Sequence, residues 1–583
     1  MTVTRRPADG WPPAGPGGPV DARAGGPVEE TEVLVVGGGP VGLALGLDLA
    51  LRGVGFVLVE AGDGRITHPK VSTVGPRAME LFRRWGVADA IRAAGWPPGH
   101  TRDVAWVTAV GGHELHRLRF APAGERPLPA YTPEPEAICP QHWLVPLLLE
   151  RLGVRPEGPV RLGTRLTGFV READGVRAAL TDAAGARTSV RARYLVGCDG
   201  AASPVRKACG IAAPERHATR TLRNVLFRAP DLADRLGARA ALVHFVTEPG
   251  GLRYPLRAMD GRGLYRLTCP PGPADALRVV RRALAVDVPV EVVSDTEWHL
   301  THRVAARYRD GRVLLAGDAA HTLSPSGGFG LATGIGDAAD LGWKLAAELA
   351  GWAGPGLLDT YGSERRPVAL AGLEESHRNL RRTLDRRLSA ALLEDSPRGE
   401  EARAALGRQI AASAPRREFD APDAHFSHRY RSPVIAEEKA GDAGPEAGAG
   451  PEPDGPVWNR TAVPGGRAPH AWLAPGRSTL DLFDRAFTLL RLGPDGPEGV
   501  DGTERAFAER RVPLRVERVR AQEAVRRYGH PFVLVRPDGH VAWRGHRPPA
   551  DPGGLADLVR GAGSRPASGA DSGPGGARPE GSG

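Results

Sequence analysis

Two stretches of this chain combine glycine, proline and carboxylate in a pattern that can hold a large anion. The first is Val33-Leu34-Val35-Val36-Gly37-Gly38-Gly39-Pro40-Val41-Gly42, with Glu60 eighteen residues further on. The second is Arg312-Val313-Leu314-Leu315-Ala316-Gly317-Asp318-Ala319-Ala320-His321, which continues into Ser324-Pro325-Ser326-Gly327-Gly328-Phe329-Gly330. Each reads as an apolar strand that breaks at glycine and runs on into a helix. Glycine lets the backbone approach a pyrophosphate, and the helix N-terminus adds amides and a positive dipole. An acid ending the next strand accepts hydrogen bonds from a ribose diol. In a chain with 77 glycines the glycine spacing alone is weak; the strand–turn–helix setting and Glu60 make it a dinucleotide signature. An acid at this position fits the adenosine ribose of FAD or NAD, without a 2′-phosphate. No second fingerprint of this kind occurs, so one dinucleotide binds stably and a nicotinamide visits transiently.

The elements that position these turns follow from periodicity. Residues 32–36 and 56–59 read as buried strands around an amphipathic helix over 40–52, which Gly53 stops. Residues 191–197 and 311–316 repeat the strand-then-turn pattern, and 337–349 reads as a helix. Between 220 and 300 come short strand-like runs at 222–227, 241–246, 252–258 and 263–268, with a hairpin turn over Met259-Asp260-Gly261-Arg262. That predicts a sheet inserted into an α/β domain. The segment 440–456, all Ala, Gly, Pro, Asp and Glu, reads as a linker before a C-terminal unit over 457–562. Residues 1–30 and 563–583 read as disordered tails, 31–385 as the main domain with its insert at about 103–133 and 215–300, and 386–439 as a helical extension.

Composition excludes several classes. The net charge is +9, but the 77 basic residues include only four lysines, and the arginines are scattered among acids with no basic block. Nucleic acid is not the expected partner. Four cysteines (Cys139, Cys198, Cys209, Cys269) with no Cys-x-x-Cys pair argue against disulfides or a metal site. No apolar run is long enough to span a membrane, which points to a cytoplasmic protein.

Three elements in order carry a family resemblance: the Gly37 fingerprint, Cys198-Asp199-Gly200-Ala201-Ala202-Ser203-Pro204-Val205-Arg206, and Gly317-Asp318 with its glycine loop. Together they resemble the single-component FAD-dependent aromatic hydroxylases, the group of p-hydroxybenzoate and phenol hydroxylases, over about 31–385. The resemblance implies a Rossmann-like FAD-binding domain with an inserted substrate sheet. It assigns Asp199 and Arg206 to FAD and a visiting NADPH or NADH, Asp318 to the flavin ribityl chain, Gln141 to the FAD phosphates and Lys70 to the flavin. Gly37, Gly39, Pro40, Val41 and Gly42 would cradle the pyrophosphate. The Pro325–Thr333 loop, with Gly328 and Gly330, would meet the ring system, and the amides of Leu331 and Ala332 would face its negative edge. Pro325 would offer its carbonyl to the oxygen being transferred. Relatives often carry Met-Asn-Thr-Gly where this chain has Leu331-Ala332-Thr333-Gly334, so a side-chain amide contact is missing. The C-terminal unit resembles the thioredoxin-like domain of phenol and polyketide-tailoring hydroxylases; lacking any cysteine, it has no thiol chemistry and fits a structural or subunit-contact role, as in a dimer.

The activity this implies is monooxygenation of a phenolic or polyketide-like aromatic by FAD, NAD(P)H and O2, through a flavin C4a-hydroperoxide. A phenol reacts faster when deprotonated, which makes His244, Tyr254 and Arg257 of the insert candidates to activate it. His321 reads as a structural hydrogen-bonding group. Two alternatives stay open: a Baeyer–Villiger or ring-rearranging oxygenase acting on a polycyclic quinone, and a flavin-binding scaffold without turnover. Halogenation is disfavoured by the lack of a Trp-x-Trp-x-Ile-Pro segment.

Overall fold

The computed structural model describes residues 28–70, 72–154, 158–247, 255–384, 388–438, 462–493 and 499–563. Tyr254, the 440–456 segment and nearly all of both expected tails lie outside these residues.

A sheet with a parallel centre underlies the fold. Its central path runs through Val313–Leu315, Arg187–Gly197, Val28–Val36, Phe56–Val59 and Val160–Arg161, each parallel to its neighbour. Val33 to Val36 are at most 7% exposed, which is why this strand is apolar throughout instead of alternating. The strand starts at Val28, earlier than expected, because its first residues pair with Ser189 to Ala192 of the neighbouring strand. The Pro40–Arg52 helix packs against the long Phe329–Leu349 helix. Glycine makes that approach possible: a Cβ on Gly342 would lie 2.1 Å from Asp48 Oδ2.

A second eight-stranded sheet draws strands from Val104–Val107 and Glu114–Leu118, from the segment between Glu215–Arg228 and Glu291–Val304, and from His321–Thr322 at its edge. Its pairing is antiparallel except between Val104–Val107 and Val243–Val246. The expected turn after Ala258 is present, with Asp260 Oδ1 accepting from the amides of Arg262, Gly263 and Leu264.

The C-terminal unit has a four-stranded sheet in the order Leu514–Val519, Phe487–Leu492, Phe532–Val535, Val541–Gly545. The first pair is parallel and the others antiparallel, and helices lie over Asp501–Glu509, Gln522–Tyr528 and Pro552–Val559. This is the thioredoxin order. The unit is not a loose appendage. Trp343 of the Phe329 helix packs edge-on against Phe487 at 5.9 Å, and Gly354 N donates to Arg560 O at 2.6 Å. The architecture is the expected α/β domain with an inserted sheet and a thioredoxin-like unit. Among the described residues no helix is long and apolar enough to cross a membrane.

Candidate functional site

The turns following Val36, Gly197 and Leu315 meet at the C-terminal ends of the three central strands. A Cβ on Gly37 (φ 113°) would sit 2.3 Å from Cys198 O, and one on Gly317 (φ 60°) 2.9 Å from Val41 Cγ2. Positive φ and close approach together require glycine at both places. Around Gly39, Gly200, Gly328 and Gly330 a Cβ would meet nothing within 4 Å, so bare backbone faces open space.

Two helices point their starts into this groove, and neither has a side-chain cap. In the Pro40 helix Leu43 N is the first amide with a partner, Gly39 O at 3.0 Å; helix geometry leaves Val41 and Gly42 donors free. Pro40 removes a donor that would have no partner there. The second helix starts at Phe329, earlier than the sequence suggested. Its free first-turn amides are therefore Phe329, Gly330 and Leu331, while Ala332 is the first whose i−4 carbonyl exists, which corrects its expected role.

Glu60 is half-buried and already tied to backbone, its two oxygens taking Gly38 N and Gly62 N at 2.7 Å each. Gln141 lies beside residue 70 and accepts from Lys70 N at 3.1 Å, but the Lys70 side chain is exposed. Asp199 is turned into its own loop, taking Ser203 Oγ at 2.5 Å and Val205 N at 2.9 Å, and burial pushes its carboxyl up. Arg206 is 7% exposed and links the turns, donating to Ala319 O at 2.9 Å and Ala201 O at 3.2 Å. It is therefore a brace between loops and not an open contact for a visiting nucleotide. Asp318 is exposed, and no protein donor takes its carboxylate among the described residues. The Pro325 carbonyl accepts from Gly328 N at 3.0 Å, with one lone pair left. Glycine backbone, free amides and an open acid at the ribityl position fit FAD.

The inserted sheet turns one face to this groove. Register places Val243, Arg257, Arg266, Leu226 and Ser294 in one cross-strand row. This row touches the segment after the second strand: His68 Nδ1 is 2.8 Å from Ser294 Oγ, Arg257 donates to Ser72 Oγ at 2.9 Å, and Arg266 donates to Pro69 O at 2.6 Å. Neither arginine forms an ion pair among the described residues, and Arg266 Nε has no acceptor. Burial pushes each guanidinium down to about 10, with the Arg257 charge adding to the effect on Arg266. His244 is out of phase with this row. It pairs with Leu256 and Ala105, is 3% exposed, contacts Arg239 O at 3.2 Å, and burial lowers its pKa to about 4. Strand alternation thus turns His244 away from the groove and leaves it a neutral core imidazole.

Sequence reasoning missed Arg266, and it missed a buried acid behind the loops. Asp337 Oδ2 accepts from Gly317 N at 3.1 Å and lies 2.7 Å from His321 Nε2, while Oδ1 accepts from Arg365 Nε at 2.8 Å. Burial opposes its ionisation, but the charges of His321 and Arg365 outweigh it and hold the carboxyl below its usual range. The signal available was three charged residues, Asp337, Asp340 and Lys344, on the apolar stretch of a helix whose one other charge, Glu348, lies in its last turn.

A model of the FAD binding domain matches residues 30–376, and one of the aromatic-ring hydroxylase C-terminal domain matches 461–566. The chain is 33% identical to the tetracenomycin A2 monooxygenase-dioxygenase of Streptomyces glaucescens, over 90% of this chain and 95% of that one. It is 35% identical to the aklavinone 12-hydroxylase DnrF of Streptomyces peucetius, over 81% and 92%. Among solved structures, chromopyrrolic acid-soaked RebC with bound 7-carboxy-K252c is 57% identical at a TM-score of 0.87, covering 92% of this chain and all of that one. RebC has also been solved with reduced flavin and after soaking in K252c.

Proposed function

The chain belongs to the FAD-dependent aromatic-ring hydroxylases, and on that premise we propose that its substrate is a polycyclic aromatic bearing at least one carboxylate. The protein is an FAD-dependent aromatic monooxygenase driven by NAD(P)H and dioxygen, which sets aside the scaffold without turnover. The observation that carries the substrate reading is the pair Arg257 and Arg266, side by side on one face of the inserted sheet, neither in an ion pair among the described residues and only Arg257 within reach of a carboxylate's charge, that of Glu418. Two desolvated cations with the charge of one carboxylate, Glu418, near them are costly unless a ligand supplies a further anion. The ligand named in the RebC structure, 7-carboxy-K252c, has that chemistry.

FAD held by these turns would supply the redox chemistry, taking electrons from the nicotinamide and delivering one oxygen atom of O2. The protein's own residues bind and orient. The Val41 and Gly42 amides would take the pyrophosphate, Glu60 the ribose and Asp318 the ribityl hydroxyls. The free amides of Phe329, Gly330 and Leu331 would stabilise negative charge on the reduced ring. Arg257 and Arg266 would fix the carboxylate so that the aromatic system lies across the groove, and the insert would exclude water. His244 has no part in proton transfer.

The test is NAD(P)H oxidation by the purified holoenzyme with chromopyrrolic acid, 7-carboxy-K252c and K252c, with product masses read alongside. Oxidation coupled to oxygen insertion, with KM for the carboxylated compounds raised about 10–100-fold by Arg266→Gln and unchanged for K252c, is the expected result. Equal effects on both would refute carboxylate anchoring.

A further inference from the structure

The C-terminal unit reaches the loops of the cofactor groove through buried polar contacts. Arg536, fully buried, donates to Glu364 and to Asp340 at 2.8 Å and to Asp538 at 2.7 Å. Glu364 and Asp340 lie on the two long helices of the main domain, and Lys344 joins both at 2.9 and 2.8 Å. The next residue after Glu364 is Arg365. Its three nitrogens divide among Asp337 Oδ1 at 2.8 Å, Thr333 O at 2.8 Å and Tyr430 OH at 2.7 Å. Tyr430 in turn stacks on His540 of the C-terminal hairpin, with ring centroids 4.3 Å apart. Through Asp337 the chain of contacts ends at Gly317 N and His321, and through Thr333 it ends in the first turns of the Phe329 helix.

Packing beside that part of the Phe329 helix is incomplete on one side. A cavity of about 60 Å³ lies against it, bounded by Phe329, Ala332, Thr333, Arg365, Tyr430 and His540. On this side Arg365 ties the helix through its hydrogen bond to Thr333 O. Buried ion pairs are poor stabilisers compared with apolar side chains of like volume, and their best-attested use is to fix one arrangement among several.

We propose that Tyr430, Arg365 and Asp337 form a positioning relay through which the C-terminal unit sets the Gly317–Asp318 turn and the start of the Phe329 helix for the flavin. The relay acts through backbone and touches no reacting atom. It rests on FAD binding at these turns. Tyr430→Phe removes one hydroxyl and keeps the ring stack; Asp337→Asn removes the central charge.

The test measures FAD dissociation from holoenzyme by recovery of free-flavin fluorescence, together with the visible spectrum of the bound flavin. Wild type must first bind FAD; if it does not, the cofactor reading itself fails. Given that, Tyr430→Phe should weaken FAD about fivefold or more and shift the flavin bands, with Asp337→Asn weakening it further. In the double variant the two effects should fall short of adding. A control, Leu492→Ala in the core cluster of the C-terminal unit that holds no main-domain residue, should lower thermal stability and leave FAD affinity and spectrum alone. Wild-type affinity and spectrum in Tyr430→Phe, strict additivity in the double variant, or an equal loss of FAD in the control would each overturn the relay.

Discussion

Two groups of buried arginines in this protein are built in opposite ways. Arg365 and Arg536 are closed by Asp337, Asp340, Glu364 and Asp538, every contact within 2.7 to 3.1 Å. Arg257 and Arg266 sit on the inserted sheet with a serine hydroxyl and backbone carbonyls as hydrogen-bond acceptors and, for Arg257, the charge of Glu418 at longer range. The paired group has its charge already balanced by buried carboxylates and holds elements together. The other group has more positive charge than the nearby Glu418 balances, which on the proposed reading leaves room for a ligand's anion. Counter-charge, more than burial, separates a structural arginine from one awaiting a ligand.

The largest effect should come from breaking the closed group. Arg536→Gln leaves three carboxylates buried around one lysine, and should cost about 3–5 kcal/mol of unfolding free energy in a denaturant titration. The same change at Arg266 removes a cation that has carbonyl acceptors but no carboxylate partner among the described residues. Its unfolding midpoint should stay within about 0.5 kcal/mol of wild type, or rise. Equal losses in the two variants would erase the distinction.

A smaller effect sharpens the assignment of faces on the inserted sheet. Burial lowers His244 from an ordinary imidazole value of 6.5 to about 4. Between these values the unfolded state binds the proton and the folded state does not, so stability falls as pH drops from 6.5 toward 4. The loss from this one group is on the order of 3 kcal/mol by pH 4. His244→Gln should flatten that part of the acid limb, measured by thermal melts across pH 4–7. Its kcat should stay far above the roughly 10²–10⁴-fold drop that removing a catalytic base produces. A drop of that size would return His244 to the chemistry.

What could be read from the sequence divides along the same line. The glycine turns were legible because strand, turn and helix are local: Pro40–Arg52 and Phe56–Val59 appear with the expected limits, and the two turns do converge, Val41 of the first lying against Gly317 of the second. Arg257 was visible as a candidate, but only cross-strand register shows that it shares a face with Arg266 and that His244 does not. A residue's face on a strand follows from alternation, yet the phase between strands is set by pairing partners far along the chain. The closed group was hidden for the same reason, since Arg536 meets Glu364 across 172 residues. Asp199 and Arg206 lie where the family pattern puts them, yet their side chains are spent on Ser203, Val205, Ala201 and Ala319.

The most direct measurement is a crystal structure of the FAD-loaded protein soaked with 7-carboxy-K252c. The ligand's carboxylate should lie within hydrogen-bonding distance of both Arg257 and Arg266, with its rings between the inserted sheet and a flavin seated on the Gly37 and Gly317 turns. Ligand density elsewhere, with the two guanidiniums left without an anion, would contradict the account.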